Sequence, residues 1–114
     1  MGMGYRVVHT SAKTNSTAVY ADVFQDGKCV ALLKYTNRYN SDIERTDGLA
    51  VNFDEPRQTG PALEFDLQWG LNDETGELEL DYGWDIIREE MSKHGLGEFF
   101  DVTQDFAKHA ANMR

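Results

Sequence analysis

Three kinds of side chain in this sequence have the chemistry for catalysis: one thiol, three imidazoles and many carboxylates. Acid–base or nucleophilic catalysis requires such groups within hydrogen-bonding reach of one another. Cys29 lies in a β-prone run directly after a turn, a setting more typical of a small buried residue than of a nucleophile. His9 falls in the first β-prone run, over residues 5–10, and His109 falls near the end of the last predicted helix.

Glu90 and His94 are four residues apart on a predicted helix, which places them on one face. A carboxylate so placed can orient an imidazole for proton transfer. Because His94 precedes Gly95, where the helix is expected to end, the favourable interaction of a cationic imidazole with the helix dipole explains a histidine at this position without any catalytic role. We prefer that second interpretation. The motifs His-Glu-x-x-His, Cys-x-x-Cys and Gly-x-Ser-x-Gly are absent from the sequence, and we expect no enzymatic activity.

Carboxylates are the most distinctive feature of the sequence. The chain has 20 acidic residues, 11 Lys and Arg, and a formal net charge of −9. Residues 64–90 contain ten of the acids and one base, Arg88, so the whole excess lies in that segment and the remainder is neutral. Direct binding to nucleic acid or to an anionic membrane requires a basic surface, and we expect neither.

The first element that hydrophobic periodicity predicts is a hairpin over residues 19–25 and 28–36. Its strands flank Asp26-Gly27, a dipeptide that favours a type I′ turn. Both strands are apolar on both faces. Simple alternation across a two-residue turn places Tyr20, Phe24, Cys29 and Leu33 on one face and Ala21, Val23, Val30 and Leu32 on the other. Asp47-Gly48 predicts a further turn, followed by a strand over residues 49–53.

A second hairpin is predicted over residues 63–82, where the alternation is the clearest in the chain. If Asn72 pairs with Glu77, then Leu71 lies opposite Leu78 and Trp69 lies opposite Leu80. Gly76 supplies the left-handed residue of the connection. The solvent face then bears Gln68 and five acidic residues. The acids are Glu64 and Asp66 on one strand and Glu77, Glu79 and Asp81 on the other.

The C-terminal third of the chain changes to a helical period. A helix over residues 84–94 is expected to bury Ile86, Ile87 and Met91 and to end at Gly95. A second helix over residues 98–113 has an apolar stripe of Phe99, Val102, Phe106, Ala110 and Met113. Strands followed by helices indicate an α+β fold in a single domain over residues 1–114: a mainly antiparallel sheet of about five strands, with two C-terminal helices on one face.

The acidic face has three interpretations. It is an ordinary solvated surface, a docking surface for a basic partner, or a calcium site built from the oxygens of residues 72–77, which lack the residue order of an EF-hand loop. Paired carboxylates of a glycosidase would require a sugar-sized cleft, which a small open sheet does not offer. The solvated surface is the simplest of the three, and docking is the functional hypothesis that we adopt, because regularly spaced carboxylates on a rigid sheet resemble a nucleic-acid backbone in charge and spacing.

The sequence therefore predicts a non-enzymatic, cytoplasmic inhibitor that engages a basic, nucleic-acid-binding surface of another protein. Phage and mobile-element anti-defence proteins of the anti-CRISPR or anti-restriction type act in this way. The alternatives are a small ligand-binding domain or enzyme with a pocket between sheet and helices, and a subunit that forms a homodimer. No cofactor and no metal are expected. The predicted contact residues are Glu64, Asp66, Asp73, Glu74, Glu77, Glu79 and Asp81, with Tyr35, Arg38 and Tyr39 as a secondary group enriched in hot-spot residue types.

Overall fold

The structure, a computed structural model, describes residues 2–13, 16–38, 44–52, 63–80 and 83–112. In this part of the chain six strands form one antiparallel sheet in which each strand pairs with the next. The strands are β1 (Met3–Lys13), β2 (Ser16–Gln25), β3 (Lys28–Arg38), β4 (Glu44–Asn52), β5 (Leu63–Leu71) and β6 (Leu78–Leu80). Helices α1 (Trp84–Lys93) and α2 (Phe100–Ala111) follow, joined through a 3₁₀ turn at Gly97–Phe99. The predicted α+β class is confirmed, with six strands in place of about five.

The core lies between α2 and one face of the sheet. Phe106 is fully buried, and its ring packs edge-on against Tyr5 and Tyr35, with centroids 5.5 and 6.4 Å apart. The side-chain amide of Asn37 donates a hydrogen bond to the carbonyl of Ala110 at 3.0 Å, which ties β3 to the end of α2. We call the opposite face of the sheet, which bears Lys34 on β3 and Glu64 on β5, the outer face.

The hairpin of β2 and β3 is confirmed, including its turn. Asp26 and Gly27 have φ angles of 53° and 80°, so both central residues are left-handed, as a type I′ turn requires. Gln25 pairs with Lys28 across the turn.

The predicted faces of this hairpin are wrong beyond the turn because β3 contains a bulge. Phe24 pairs with Cys29, but the next pair joins Val23 to Ala31, so Val30 is the extra residue. A bulge of one residue exchanges the faces of every residue that follows it. Leu33 therefore lies opposite Ala21 and is buried in the core, and Leu32 turns to the outer face.

Replacing Gly27 by alanine tests the turn. A side chain at this φ of 80° costs about 1 kcal/mol, although no atom lies within 4 Å of the added Cβ. The unfolding temperature should therefore fall by roughly 4 °C. Gly4→Ala is the matched control, since Gly4 has the same free space and no positive φ. Equal unfolding temperatures for the two variants would refute the left-handed assignment.

The turn predicted at Asp47-Gly48 is also wrong, because both residues lie inside β4. Gly48 pairs with Thr36 on β3 and with Asp66 on β5. Asp47 is 1% exposed and its carboxylate accepts a hydrogen bond from the Tyr35 hydroxyl at 2.6 Å. A distant donor therefore satisfies an aspartate that local sequence assigns to a turn.

Helix α1 ends as predicted. Gly95 has a φ of 76°, the Leu96 N–H donates to the Met91 carbonyl at 2.8 Å, and the Gly95 N–H donates to the Ser92 carbonyl at 3.1 Å. This is the Schellman pattern, in which an apolar residue after the glycine packs back on the helix.

The buried faces of the helices differ from the prediction at one position. Ile87 and Met91 are buried as predicted, but Ile86 is 59% exposed because it lies on the opposite side of α1. The α2 stripe is buried from Phe99 to Ala110, and Met113 lies outside the described residues. No described helix is long and apolar enough to cross a lipid bilayer.

Candidate protein-docking surface

The acidic hairpin, defined as β5, β6 and the connecting residues 72–77, has the predicted register. Leu71 pairs with Leu78 and Trp69 pairs with Leu80. The apolar side chains of β5 share one face because alternate residues of a strand point the same way, and Leu63, Leu67 and Trp69 are buried. This burial fixes which side chains of the hairpin turn outward.

Three carboxylates stand on the outer face of the hairpin. Glu64 and Asp66 are exposed on β5, in phase with exposed Gln68. Glu79 of β6 is exposed opposite Gly70, and the same phase places it on the outer face. Residues i and i+2 of a strand are about 6.5–7 Å apart, so Glu64 and Asp66, which we call the acidic row, form one pair of carboxylates at this spacing.

The connecting turn is held by Asn72. Its Oδ1 accepts hydrogen bonds from the Glu74 N–H at 2.9 Å and the Thr75 N–H at 3.3 Å. Its Nδ2 donates to Glu79 Oε1 at 3.0 Å, which orients one carboxylate of the outer face. Asn72 N–H donates to the Glu77 carbonyl at 2.8 Å, and Gly76 has a left-handed φ of 74°. The exposed side chains of Asp73, Glu74 and Glu77 therefore project from an ordered turn.

The acids of residues 64–90, which account for the whole charge excess, do not form one surface. Asp85, Glu89 and Glu90 lie on α1. Lys93 lies 3.7 Å from Glu89 and 3.9 Å from Glu90, so the protein neutralises part of this helical group itself. The acids are divided between the hairpin and α1 because the chain leaves the sheet after β6 and begins a helix after Gly83.

The carboxylates of the hairpin have fewer cations nearby. Among the side chains that the structure describes, no Lys or Arg lies within 4 Å of Glu64, Asp73, Glu74, Glu77 or Glu79. Arg88 lies over the Phe100 ring at 4.5 Å instead, and Lys34 lies over the Tyr20 ring at 5.6 Å. These two cations are thus held against aromatic rings.

A shallow depression of about 140 Å³ adjoins Glu64 and Asp66 on the outer face. Gly48 and Ala50 of β4 are part of its lining, and small side chains there leave room between β3 and β5. Lys34 and Thr36 form the opposite wall. The acidic row therefore borders a concave part of the sheet and not a flat one.

The secondary contact group does not form a surface. Tyr35 is fully buried, so it cannot touch a partner, and this part of the prediction is corrected. Its position follows from the bulge in β3, which turns it inward beside Leu33. Arg38 ends β3 with its side chain outside the described part of the structure, and Tyr39 and Asp81 lie outside the described residues.

Tyr35 instead joins two buried polar groups. Its hydroxyl donates to Asp47 Oδ2 at 2.6 Å and accepts from Trp69 Nε1 at 2.7 Å. This buried chain connects β5, β3 and β4 beneath the acidic hairpin. Sequence reasoning missed it, since the three residues are far apart in sequence and only the strand order brings them together.

The candidate catalytic residues are not brought together. His9 is exposed on β1 beside Tyr20, with ring centroids 5.6 Å apart, and Cys29 is half-buried on β3. His94 Nε2 lies 3.4 Å from Glu90 Oε1 at the exposed end of α1. Within the described residues, no group of three or more His, Cys, Asp and Glu side chains is placed to bind a metal ion.

A groove of about 500 Å³ lies between β1 and α2, and sequence reasoning also missed it. Met3, Gly4 and Tyr5 form one wall, and Val102 and the carboxylates of Glu98, Asp101 and Asp105 line the other. Burial, and secondly the Asp105 carboxylate, raise the pKa of the Tyr5 hydroxyl above 10.0. These three acids are three and four residues apart in the sequence, next to the apolar stripe of α2. That spacing could have predicted an acidic line along one side of the helix.

Comparisons with known proteins found no match among protein-family models, curated proteins or solved structures.

Proposed function

We propose that this chain is a non-enzymatic binding domain whose acidic hairpin docks on a basic surface of another protein. The observation that supports this most strongly is the outer face of the hairpin. Glu64, Asp66 and Glu79 are exposed on rigid strands, and an ordered turn extends the negative surface. Rigid presentation lowers the entropic cost of binding, and a surface of one charge sign steers a partner of opposite sign.

The partner that fits this surface is a protein with a lysine- and arginine-rich groove that normally holds nucleic acid. Carboxylates about 6.5–7 Å apart approximate the spacing of successive phosphates along one strand of a nucleic acid. By occupying that groove, the hairpin would exclude the natural ligand. The protein would then act as an inhibitor of the kind that phages and mobile elements direct against host defence, and we place its action in the cytoplasm.

Like charges without compensation lower the stability of a sheet. Carboxylates facing each other across strands are destabilising by a fraction of a kcal/mol per pair, and mixing in lysine or threonine would remove the cost. In the hairpin, Glu64, Asp66 and Glu79 lie opposite Ala50, Gly48 and Gly70, so the described register places no two of these carboxylates directly opposite each other. The sheet can therefore present this negative charge to a basic partner without the cost of directly opposed carboxylates.

Affinity capture with matched baits tests the proposal. The hairpin variant is Glu64→Gln, Asp66→Asn and Glu79→Gln, which removes three charges but preserves shape and the acceptor for Asn72. The helix variant, Asp85→Asn, Glu89→Gln and Glu90→Gln, removes the same charge from α1. We expect wild type and the helix variant to retain a host protein that the hairpin variant loses.

Competition identifies the surface of the captured protein. Duplex DNA or RNA should displace the captured protein from the wild-type bait, because the nucleic acid and the acidic hairpin compete for the same basic groove. Capture of the same proteins by the hairpin variant would refute the hairpin as the docking surface. A captured protein that nucleic acid fails to displace would refute the nucleic-acid-binding groove as its target.

A further inference from the structure

We propose that the free edge of β1 binds an extended, basic peptide segment of another protein, seated in the groove against α2. The segment would add a seventh strand to the sheet beside Met3–Val7 and place alternate Lys or Arg side chains on the carboxylates of the groove. This site lies at the edge of the sheet opposite β6, and it does not depend on the proposed role of the acidic hairpin.

The edge of β1 has the backbone groups that strand addition requires. Within the described part of the chain β1 is the outermost strand and pairs with β2 alone. An edge strand presents unpaired N–H and C=O groups that can form a ladder with an incoming chain. Residues 3–7 are in regular register with residues 25–21, and the first irregularity falls at Val8. The regular half of the strand is therefore the half that borders the groove.

The groove gives the incoming strand a surface for its side chains. Val102 is 7% exposed and Met3 is half-buried, so both supply apolar contact. The Tyr5 ring packs against Phe106 and His109 of α2, which fixes the wall formed by β1. Gly4 contributes only backbone atoms to this wall, because it has no side chain.

The charge of the groove selects the occupant. Glu98, Asp101 and Asp105 are exposed along one side of α2 and the 3₁₀ turn before it. No described Lys or Arg lies within 4 Å of these carboxylates. Arg6, the base nearest along β1, turns to the outer face and lies over the Phe24 ring at 4.8 Å.

The spacing of the carboxylates matches an extended chain. Asp101 and Asp105 are four residues apart, which is about 6 Å along a helix. Alternate side chains of a strand are about 6.5–7 Å apart and point to one face. A second copy of this chain is a poor occupant, because edge-to-edge pairing would bring two such acidic grooves together on chains that each have a net charge of −9.

The probe is a fluorescein-labelled synthetic peptide in which arginine alternates with threonine, measured by fluorescence anisotropy on the full chain. Two control peptides have glutamate in place of each arginine, or proline in place of each threonine, which removes the N–H groups that the ladder requires. We expect the arginine–threonine peptide to bind about tenfold more tightly than either control, which corresponds to about 1.4 kcal/mol. Equal binding of the proline peptide would overturn strand addition, whatever the stability of any protein variant.

Protein variants locate the site. The groove variant is Glu98→Gln, Asp101→Asn and Asp105→Asn, and it should weaken peptide binding about tenfold, since exposed ion pairs contribute modestly each. The hairpin variant removes the same charge and should bind the peptide like wild type. Hydrogen exchange should slow at amides within residues 3–7 when the peptide binds. The proposal would be overturned if only the hairpin variant lost peptide binding, or if the peptide slowed hydrogen exchange only at amides of β6. A dimer of the free protein in light scattering would also overturn it.

Discussion

Replacing Phe106 by alanine is expected to lower the free energy of unfolding by about 3–5 kcal/mol, the largest effect of any single change considered. Phe106 is fully buried in α2, and its ring contacts Tyr5 on β1 and Tyr35 on β3. The alanine variant loses the transfer free energy of the ring and leaves a cavity that neighbouring strands cannot fill. Small domains are stable by only about 5–15 kcal/mol, so the variant should unfold at much lower urea concentration.

Ile86→Ala is the control for this prediction. Ile86 is 59% exposed on α1, and alanine is the better helix former, so its unfolding midpoint in urea should remain close to that of wild type. Far-UV circular dichroism of the Phe106 variant at low temperature would report whether α2 remains folded. A loss below about 1 kcal/mol would contradict the packing of α2 on the sheet.

Replacing Tyr35 by phenylalanine is expected to cost about 2–4 kcal/mol, although it removes a single oxygen atom. The hydroxyl donates to Asp47 Oδ2 at 2.6 Å and accepts from Trp69 Nε1 at 2.7 Å, and all three residues are buried. Phenylalanine deprives the carboxylate of this donor and the indole of this acceptor. An incompletely satisfied buried polar group costs more than the net gain from one hydrogen bond.

Tyr20→Phe is the matched control, since Tyr20 is half-buried and its hydroxyl forms no hydrogen bond with the residues that the structure describes. Its free energy of unfolding should change by less than about 0.5 kcal/mol. Urea denaturation followed by tryptophan fluorescence measures both variants, and Trp69 reports the change directly. Equal stabilities for the two variants would show that the buried chain contributes little.

The features that the sequence predicted correctly are those set by neighbouring residues. Alternation over residues 63–71, followed by Gly76, was sufficient to predict the register of β5 and β6. Asp26-Gly27 was sufficient for the first turn, and Gly95 for the end of α1. In each case the backbone conformation depends on the residues at that position, so a short stretch of sequence is enough to predict it.

The features that the sequence did not predict depend on contacts between distant residues. Asp47 has a turn-forming side chain, but a donor on β3 and pairing on both sides keep it inside β4. The bulge at Val30 inverts the faces of β3, which buries Tyr35 and removes it from the contact set. Neither a bulge nor a partner twelve residues away has a local signature in an apolar strand.

The candidate surface was predicted in part. The outward positions of Glu64, Asp66 and Glu79 follow from alternation, and their exposure agrees with it. The distribution of charge between hairpin and helix did not follow from a count over residues 64–90. A net charge per segment does not show which element each charge lies on, and Glu89 and Glu90 lie on α1 within 4 Å of Lys93.

The dissociation constant of the captured partner tests the central claim most directly. It should be measured for wild type, the hairpin variant and the helix variant at low salt and at about 1 M salt, where the Debye length is about 3 Å. We expect wild type and the helix variant to bind alike and to weaken with salt, and the hairpin variant to bind at least about tenfold more weakly at low salt. Equal affinity of the hairpin variant and wild type at low salt would contradict docking through the acidic hairpin.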